Sequence, residues 1–190
     1  MNANQNTGRY VAGAICVAIN IVLGMVIGAL KVPFYGDTIG TIMAAVLMGP
    51  GIGALVGLLS SILNSILFQG LQSIPFALIN VMIGLVVGWA ARKRTFSMPF
   101  AVGMGVLLSF LCALVGTPIG VAVYGGLTGT VSDILVGFLT QSGAGIFASS
   151  FVAKVGNNLI DKIGSCVIVC MTLKYLPLCL RGQMLTLEKN

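Results

Sequence analysis

The segment that decides the fold runs from Phe34 to Asn64 and has the sequence FYGDTIGTIMAAVLMGPGIGALVGLLSSILN. Two apolar runs in it are separated by Gly49-Pro50-Gly51, a combination that breaks helices. Asp37 is its single charged residue, and glycines recur inside the apolar runs. Frequent glycine is typical of membrane helices, whose backbones approach one another closely at small residues. The segment therefore predicts two helices that lie in a lipid bilayer.

The rest of the chain has the same character. Of its 190 residues, 57% are hydrophobic and 7% are charged, whereas a soluble domain has about 25% charged residues. Apolar stretches of about 20 residues recur along the sequence, as helices that cross a bilayer require. Ala101–Leu114 does not alternate between polar and apolar residues, which argues against the strands of a β-barrel. We therefore predict an all-α integral membrane protein.

Six transmembrane helices are predicted, in a single membrane domain that covers residues 1–190. Their expected ranges are Arg9–Leu30, Phe34–Met48, Ile52–Phe68, Ile74–Ala91, Met98–Val115 and Phe147–Leu176. Between the last two, Thr117–Gly145 is expected to form a structured outer loop with a short surface helix at Ile134–Leu139. The purely apolar part of the last helix, Ile163–Leu173, covers only about 16 Å at 1.5 Å per residue. Its polar half must therefore enter the membrane too.

The basic residues set the expected orientation. They are strung between the apolar segments rather than gathered on one face, so we interpret them as topology signals and not as a nucleic-acid site. Three lysines fall on one side of the predicted arrangement: Lys31, Lys154 and Lys162. The other seven of the ten basic residues, which include Arg92-Lys93-Arg94, fall on the opposite side. The positive-inside rule then places both ends of the chain in the cytoplasm.

The last predicted helix carries the main candidate site. Lys154, Asn158, Asp161 and Ser165 recur at helical spacing and share one face, with Asn157 beside them. Charged residues at membrane depth are costly and mark functional sites by default. Two interpretations stay open here. The stripe either lines a cavity for a ligand, or Lys154 and Asp161 form an ion pair that anchors helix packing.

Other candidates are isolated residues. Asp37 could belong to the site, although capping of the second helix is the favoured interpretation. Asn80 lies in an apolar segment and needs a partner from a neighbouring helix or a ligand. Tyr124 could rim a pocket. Ala14 and Ala18 form a close-contact patch that faces either the bundle or another protein.

Several functions are excluded by what the sequence lacks. It has no histidine and four acidic residues, so acid–base catalysis has few candidates and we do not expect an enzyme. Its five cysteines include no CxxC pair, and we expect neither a metal nor a cofactor. No GxxxxGK[ST] motif is present, so this chain cannot itself hold an ATPase site.

The sequence resembles the S components of energy-coupling factor (ECF) vitamin transporters. The resemblance covers nearly the whole chain and rests on the order of loose motifs. These are Ala14-x-x-x-Ala18, the Phe34–Asn64 segment, Gly125–Gly129 (GGLTG), the Asp161-Lys162 pair and Lys174–Pro177 (KYLP).

The resemblance implies a fold, a mechanism and partners. S components are six-helix proteins that bind a vitamin near the outer surface, between helices four to six and the outer loops. They join a membrane T component and two cytoplasmic ATPases, and they are thought to topple in the membrane to deliver the cargo. Ala14 and Ala18 match the family's contact with the T component. The predicted polar stripe falls where the family holds its substrate.

The sequence does not decide the substrate, nor whether the chain is an importer subunit or works in another way. Amides, hydroxyls and single Lys and Asp side chains favour a small neutral heterocycle, such as pyridoxine or hydroxymethylpyrimidine, over pantothenate or cobalamin. Two alternatives to an importer subunit are a membrane sensor or accessory domain, and a stand-alone secondary carrier. The missing cytoplasmic domain counts against the first, and the missing internal repeat counts against the second.

Overall fold

The structure is a computed structural model that describes residues 3–30, 34–127, 132–143 and 145–175. Lys31, Gly129 and the end of the KYLP motif lie outside these ranges, as do Arg181 and Lys189, two of the seven basic residues expected on the cytoplasmic side. The described residues form seven α-helices: α1 Ala3–Leu30, α2 Ile39–Met48, α3 Pro50–Asn64, α4 Ala77–Lys93, α5 Met98–Tyr124, α6 Ser132–Gln141 and α7 Ile146–Tyr175. A π-helical turn, Ser65–Gln69, and a 3₁₀ helix, Leu71–Phe76, join α3 to α4.

Four helical segments among the described residues are long and apolar enough to cross a membrane: Thr7–Leu30, Pro50–Gln69, Leu71–Lys93 and Met98–Tyr124. They correspond to predicted helices one, three, four and five. The helix α7 has 30 residues and would extend about 45 Å, but its polar half makes it less apolar than these four.

The second predicted helix is shorter than expected. Helix α2 has 10 residues and covers about 15 Å, which is half of a bilayer core of about 30 Å. Residues 34–38 precede it as irregular backbone, and Gly36 has a φ of +65° that favours glycine. The predicted start at Phe34 is therefore wrong, because this segment bends before the helix begins.

The fifth helix is longer than expected. It was predicted to end at Val115, but α5 continues through Pro118 to Tyr124. Proline is tolerated inside membrane helices because neighbouring groups satisfy the freed backbone. The helix ends where Gly126 N–H donates to Gly120 O at 3.2 Å and Gly125 adopts a left-handed conformation. The outer loop is correspondingly shorter, and the short helix expected within it is α6.

Glycine contacts hold α2, α3 and α4 together. A Cβ on Gly53 would collide with Ala45, and one on Gly84 would collide with the backbone of Gly53 and Ala54. Gly88 lies equally close to Pro50. These glycines therefore serve packing within the bundle, whereas a Cβ on Gly28 would meet none of the described residues within 4 Å.

The helix ends gather at two ends of the bundle. At one end, Arg9 Nη2 donates to Met48 O at 3.0 Å, and Cys170 Sγ donates to Phe96 O at 3.4 Å. We name this the basic end, because it also carries Arg92, Lys93, Arg94 and Lys174 beside these contacts. At the opposite end, the rings of Phe76 and Tyr124 lie 6.1 Å apart, and Ser150 Oγ donates to Gly126 O at 3.0 Å.

Candidate functional site

An ion pair is buried midway along α7. Lys162 Nζ lies 2.5 Å from Asp161 Oδ2 and also donates to Thr38 Oγ1 at 3.1 Å. Asp161 is 0% exposed and Lys162 is 3% exposed. Of the two interpretations left open for the last helix, the ion pair between Asp161 and Lys154 is therefore contradicted, because Asp161 pairs with Lys162. Lys162, which was counted among the outer basic residues, is buried within the bundle. Buried charges need such direct partners, because their loss of hydration is costly.

The second oxygen of Asp161 holds the irregular segment before α2. Oδ1 accepts hydrogen bonds from Tyr35 N at 2.9 Å and from Gly36 N at 3.0 Å. Backbone that is not helical can lie at membrane depth only if its polar groups are satisfied within the protein. Here Asp161 accepts hydrogen bonds from backbone N–H groups that lie 126 and 125 residues away in the sequence.

The first turn of α2 is satisfied by α1. Asn20 Oδ1 accepts from Gly40 N at 2.7 Å, while its Nδ2 donates to Thr41 Oγ1 at 2.9 Å and to Ser60 Oγ at 3.0 Å. The N-cap of α2 is Thr38, for which the described residues give no side-chain capping bond. The favoured interpretation of Asp37 as the cap of this helix is therefore wrong.

Asp37 instead faces α4. Its carboxylate lies near the Asn80 amide, and Asn80 Nδ2 donates to Ser61 Oγ at 2.6 Å. Asn80 thus finds a partner on the neighbouring helix α3, one of the two possibilities left open for it. Asp37 and Asn80 connect the start of α2 to α3 and α4.

The polar residues nearer the opposite end form a second group. Lys154 Nζ lies 5.9 Å from the centre of the Phe76 ring, which packs against Tyr124. Asp133 of α6 is in electrostatic range of Lys154. Asn158 Nδ2 donates to Lys154 O at 2.8 Å, one turn earlier in α7. Lys154 and Tyr124 are thus brought together, but Asp161 lies two turns away.

Four buried side-chain oxygens of the described residues have no hydrogen-bond partner there: Thr117 Oγ1, Ser149 Oγ, Asn157 Oδ1 and Ser165 Oγ. Thr117 belongs to α5, and the others belong to α7. The amide of Asn157 lies near the Tyr35 phenol, yet its oxygen stays unpaired among the described residues. A buried polar group without a partner costs about 1–3 kcal/mol. A bound polar ligand would remove that cost.

Sequence reasoning missed several of these residues. Thr117 was assigned to the outer loop, and Lys162 was counted as an outer charge. The adjacent Asp161-Lys162 pair in the middle of a predicted helix was the available signal for a buried ion pair. Tyr35 and Ser149 gave no signal in the sequence, since their roles depend on contacts between distant segments.

Ala14 and Ala18 point away from the bundle. Both are exposed, as are Val11 and Ile15 beside them, whereas Cys16 and Val17 are buried. Of the two directions left open for this patch, the structure gives the outward one. Ala14 and Ala18 therefore form part of an exposed strip on this side of α1.

A bundle of apolar helices that encloses a charged and amide-rich cluster is typical of a membrane-embedded protein with a polar functional site, rather than of a soluble domain. The family model of the ECF-type riboflavin transporter S component matches residues 4–174, and the chain belongs to this family. The resemblance inferred from the sequence motifs is confirmed. The chain is therefore a multi-pass protein of the cell membrane, in a family of transporter subunits rather than enzymes. No curated protein and no solved structure gives a significant match.

Proposed function

We propose that this chain is the substrate-capture subunit of an ATP-driven importer for riboflavin. It would bind the vitamin from the outer side and deliver it inward together with a T component and two ATPases. The observation that carries the proposal is the family match over residues 4–174. The family description names riboflavin, which was outside our sequence-based ranking but is also a flat heterocycle. Pyridoxine, hydroxymethylpyrimidine, pantothenate and cobalamin are the competitors to include in any binding test.

The proposed ligand contacts lie between α5, α7 and the 3₁₀ helix. Asn157, Thr117 and Ser149 offer unpaired buried oxygens to the N–H and hydroxyl groups of riboflavin. Phe76 and Tyr124 offer aromatic faces for its ring. Lys154 can donate to a ring carbonyl, and Asn158 lies one turn along the same face.

Three further candidates from the sequence would support the site without touching the ligand. Asp161 has both oxygens engaged by Lys162 and the backbone of residues 35 and 36. Asn80 donates to Ser61 and lies near the Asp37 carboxylate. We propose that these residues shape the wall of the pocket.

The orientation that we propose places the basic end in the cytoplasm. Arg92, Lys93 and Arg94 end α4 there, and the positive-inside rule favours that side for them. In this arrangement α2 completes the second crossing together with irregular residues 34–38, and α7 makes the sixth. The exposed strip around Ala14 and Ala18 then lies along the membrane, where a T component could pack against it.

Riboflavin binding can be measured directly. Purified protein in detergent should quench the fluorescence of added riboflavin, and Asn157→Ala should weaken binding by about 1–3 kcal/mol through the lost hydrogen bond. Ile160→Ala, on the exposed side of α7, is the matched control and should bind as wild type. If wild-type protein binds no riboflavin, the proposed substrate is wrong. If Asn157→Ala binds riboflavin unchanged, the proposed site is wrong.

A further inference from the structure

The irregular segment 34–38 is attached to one face of α7. Phe34 packs its ring against Gly164, where a Cβ would come within 2.9 Å of the ring. Tyr35 and Gly36 donate their N–H groups to Asp161. The Tyr35 phenol lies beside the Asn157 amide. Asn157, Asp161 and Gly164 are spaced by four and three residues, so they share one face of the helix.

This arrangement places Asp161 between the backbone of the segment and a proposed ligand contact. Its carboxylate is fully buried and accepts two backbone N–H groups on one oxygen. Its other oxygen is occupied by the Lys162 ammonium. A ligand could reach this carboxylate only by displacing one of these partners. Asn157, by contrast, has an oxygen without a partner among the described residues.

We propose that Asp161 is a positioning residue that fixes the backbone of Tyr35 and Gly36 and thereby holds the Tyr35 phenol against the Asn157 amide. This inference rests on the proposed function, since it assigns Asp161 a role in the same riboflavin site. The Asn157 amide oxygen has no partner among the described residues and stays available to a ligand. Asp161 would therefore act on riboflavin through Tyr35 and Asn157 rather than by contact.

Lys162 completes the attachment. Its ammonium donates hydrogen bonds to Asp161 and to Thr38, the residue before the first turn of α2. Asp37 is a second carboxylate in electrostatic range of Lys162. The ammonium therefore keeps a negative partner when the charge of Asp161 is removed. The Asp161→Asn variant should lose less stability than a protein in which the buried lysine is left without any carboxylate.

The first test needs no ligand. Amide hydrogen exchange is measured by mass spectrometry on peptides that cover residues 34–38 in detergent-purified wild type, Asp161→Ala and Asp161→Asn. We expect exchange at Tyr35 and Gly36 to be about tenfold faster in Asp161→Ala, because both N–H groups lose their acceptor. Asp161→Asn retains an acceptor oxygen and should lie in between. Ile160→Ala, whose side chain is 58% exposed on the same helix, should match wild type.

The second test separates positioning from contact by a double-mutant cycle with Tyr35→Phe. Each single variant should lower riboflavin affinity about 5- to 150-fold. If Asp161 acts through Tyr35, Asp161→Ala/Tyr35→Phe should bind no more weakly than the weaker single variant. Multiplied effects would mean that Asp161 contacts the ligand itself and would overturn the proposal.

The two tests distinguish failure of the proposed function from failure of the positioning role of Asp161. If wild type binds no riboflavin, the proposed function is wrong, and the exchange experiment alone then decides whether Asp161 holds the segment. Unchanged exchange in both Asp161 variants would overturn the positioning role whatever the ligand is. If Asp161→Ala does not fold, Asp161→Asn against wild type gives the same comparison with the side-chain shape retained.

Discussion

Asn20 should be essential for the stability of the junction between α1, α2 and α3. Its side chain is fully buried and makes three hydrogen bonds, one to the backbone N–H of Gly40 and two to the hydroxyls of Thr41 and Ser60. Asn20→Ala removes all three and shrinks the side chain. A Cβ on Gly40 would collide with Cys16 O, so the two backbones are too close for another side chain to enter and replace the amide.

The expected cost can be estimated from the groups left behind. The Gly40 N–H becomes a buried donor without an acceptor, which costs about 1–3 kcal/mol. The two hydroxyl contacts add about 0.6 kcal/mol each, the average for side-chain hydrogen bonds between membrane helices. Ser60 is partly compensated, because its own hydroxyl still donates to Val56 O at 2.7 Å. We therefore expect a loss of about 2–4 kcal/mol in the free energy of unfolding.

Reversible unfolding in mixed detergent micelles, followed by circular dichroism, measures this free energy. Val22→Ala is the control, because Val22 is 52% exposed on the same helix. A loss below about 0.5 kcal/mol in Asn20→Ala, within the range of ordinary surface substitutions, would refute the estimate.

Three further outcomes follow from the same structure. Gly84→Ala should destabilise the protein by about 1–3 kcal/mol, because the added methyl group overpacks against Gly53. Gly28→Ala is the control, since its methyl group would meet none of the described residues. Equal unfolding free energies for the two variants would contradict the packing. Ala14→Trp should prevent co-purification with the T component and leave riboflavin affinity unchanged; retained assembly would reject the interface. Thr117→Val should weaken riboflavin binding by about 1–3 kcal/mol through the lost hydrogen bond. It should not lower the stability of the ligand-free protein, because the Thr117 hydroxyl has no partner among the described residues. Unchanged affinity would exclude Thr117 from the site.

Part of the candidate site followed from helical spacing. The polar face of the last helix was predicted, and Asn157, Asn158 and Asp161 are buried within the bundle as expected of such a face. Spacing along one helix could not tell which of these residues face a ligand and which are held by the protein. Asp161 and Lys162 illustrate this, because their partners Tyr35, Gly36 and Thr38 are more than 120 residues away.

The sequence alone determined that the chain is helical and embedded in a membrane, since transfer from water to lipid depends on composition along consecutive residues. It also located four of the apolar helices and the polar face of α7. Tertiary structure alone decided that α2 begins at Ile39, that α5 continues past Pro118 and that Ala14 faces outward. Each of these depends on which backbone groups are satisfied, or which surfaces are covered, by segments that are distant in the chain but adjacent in space.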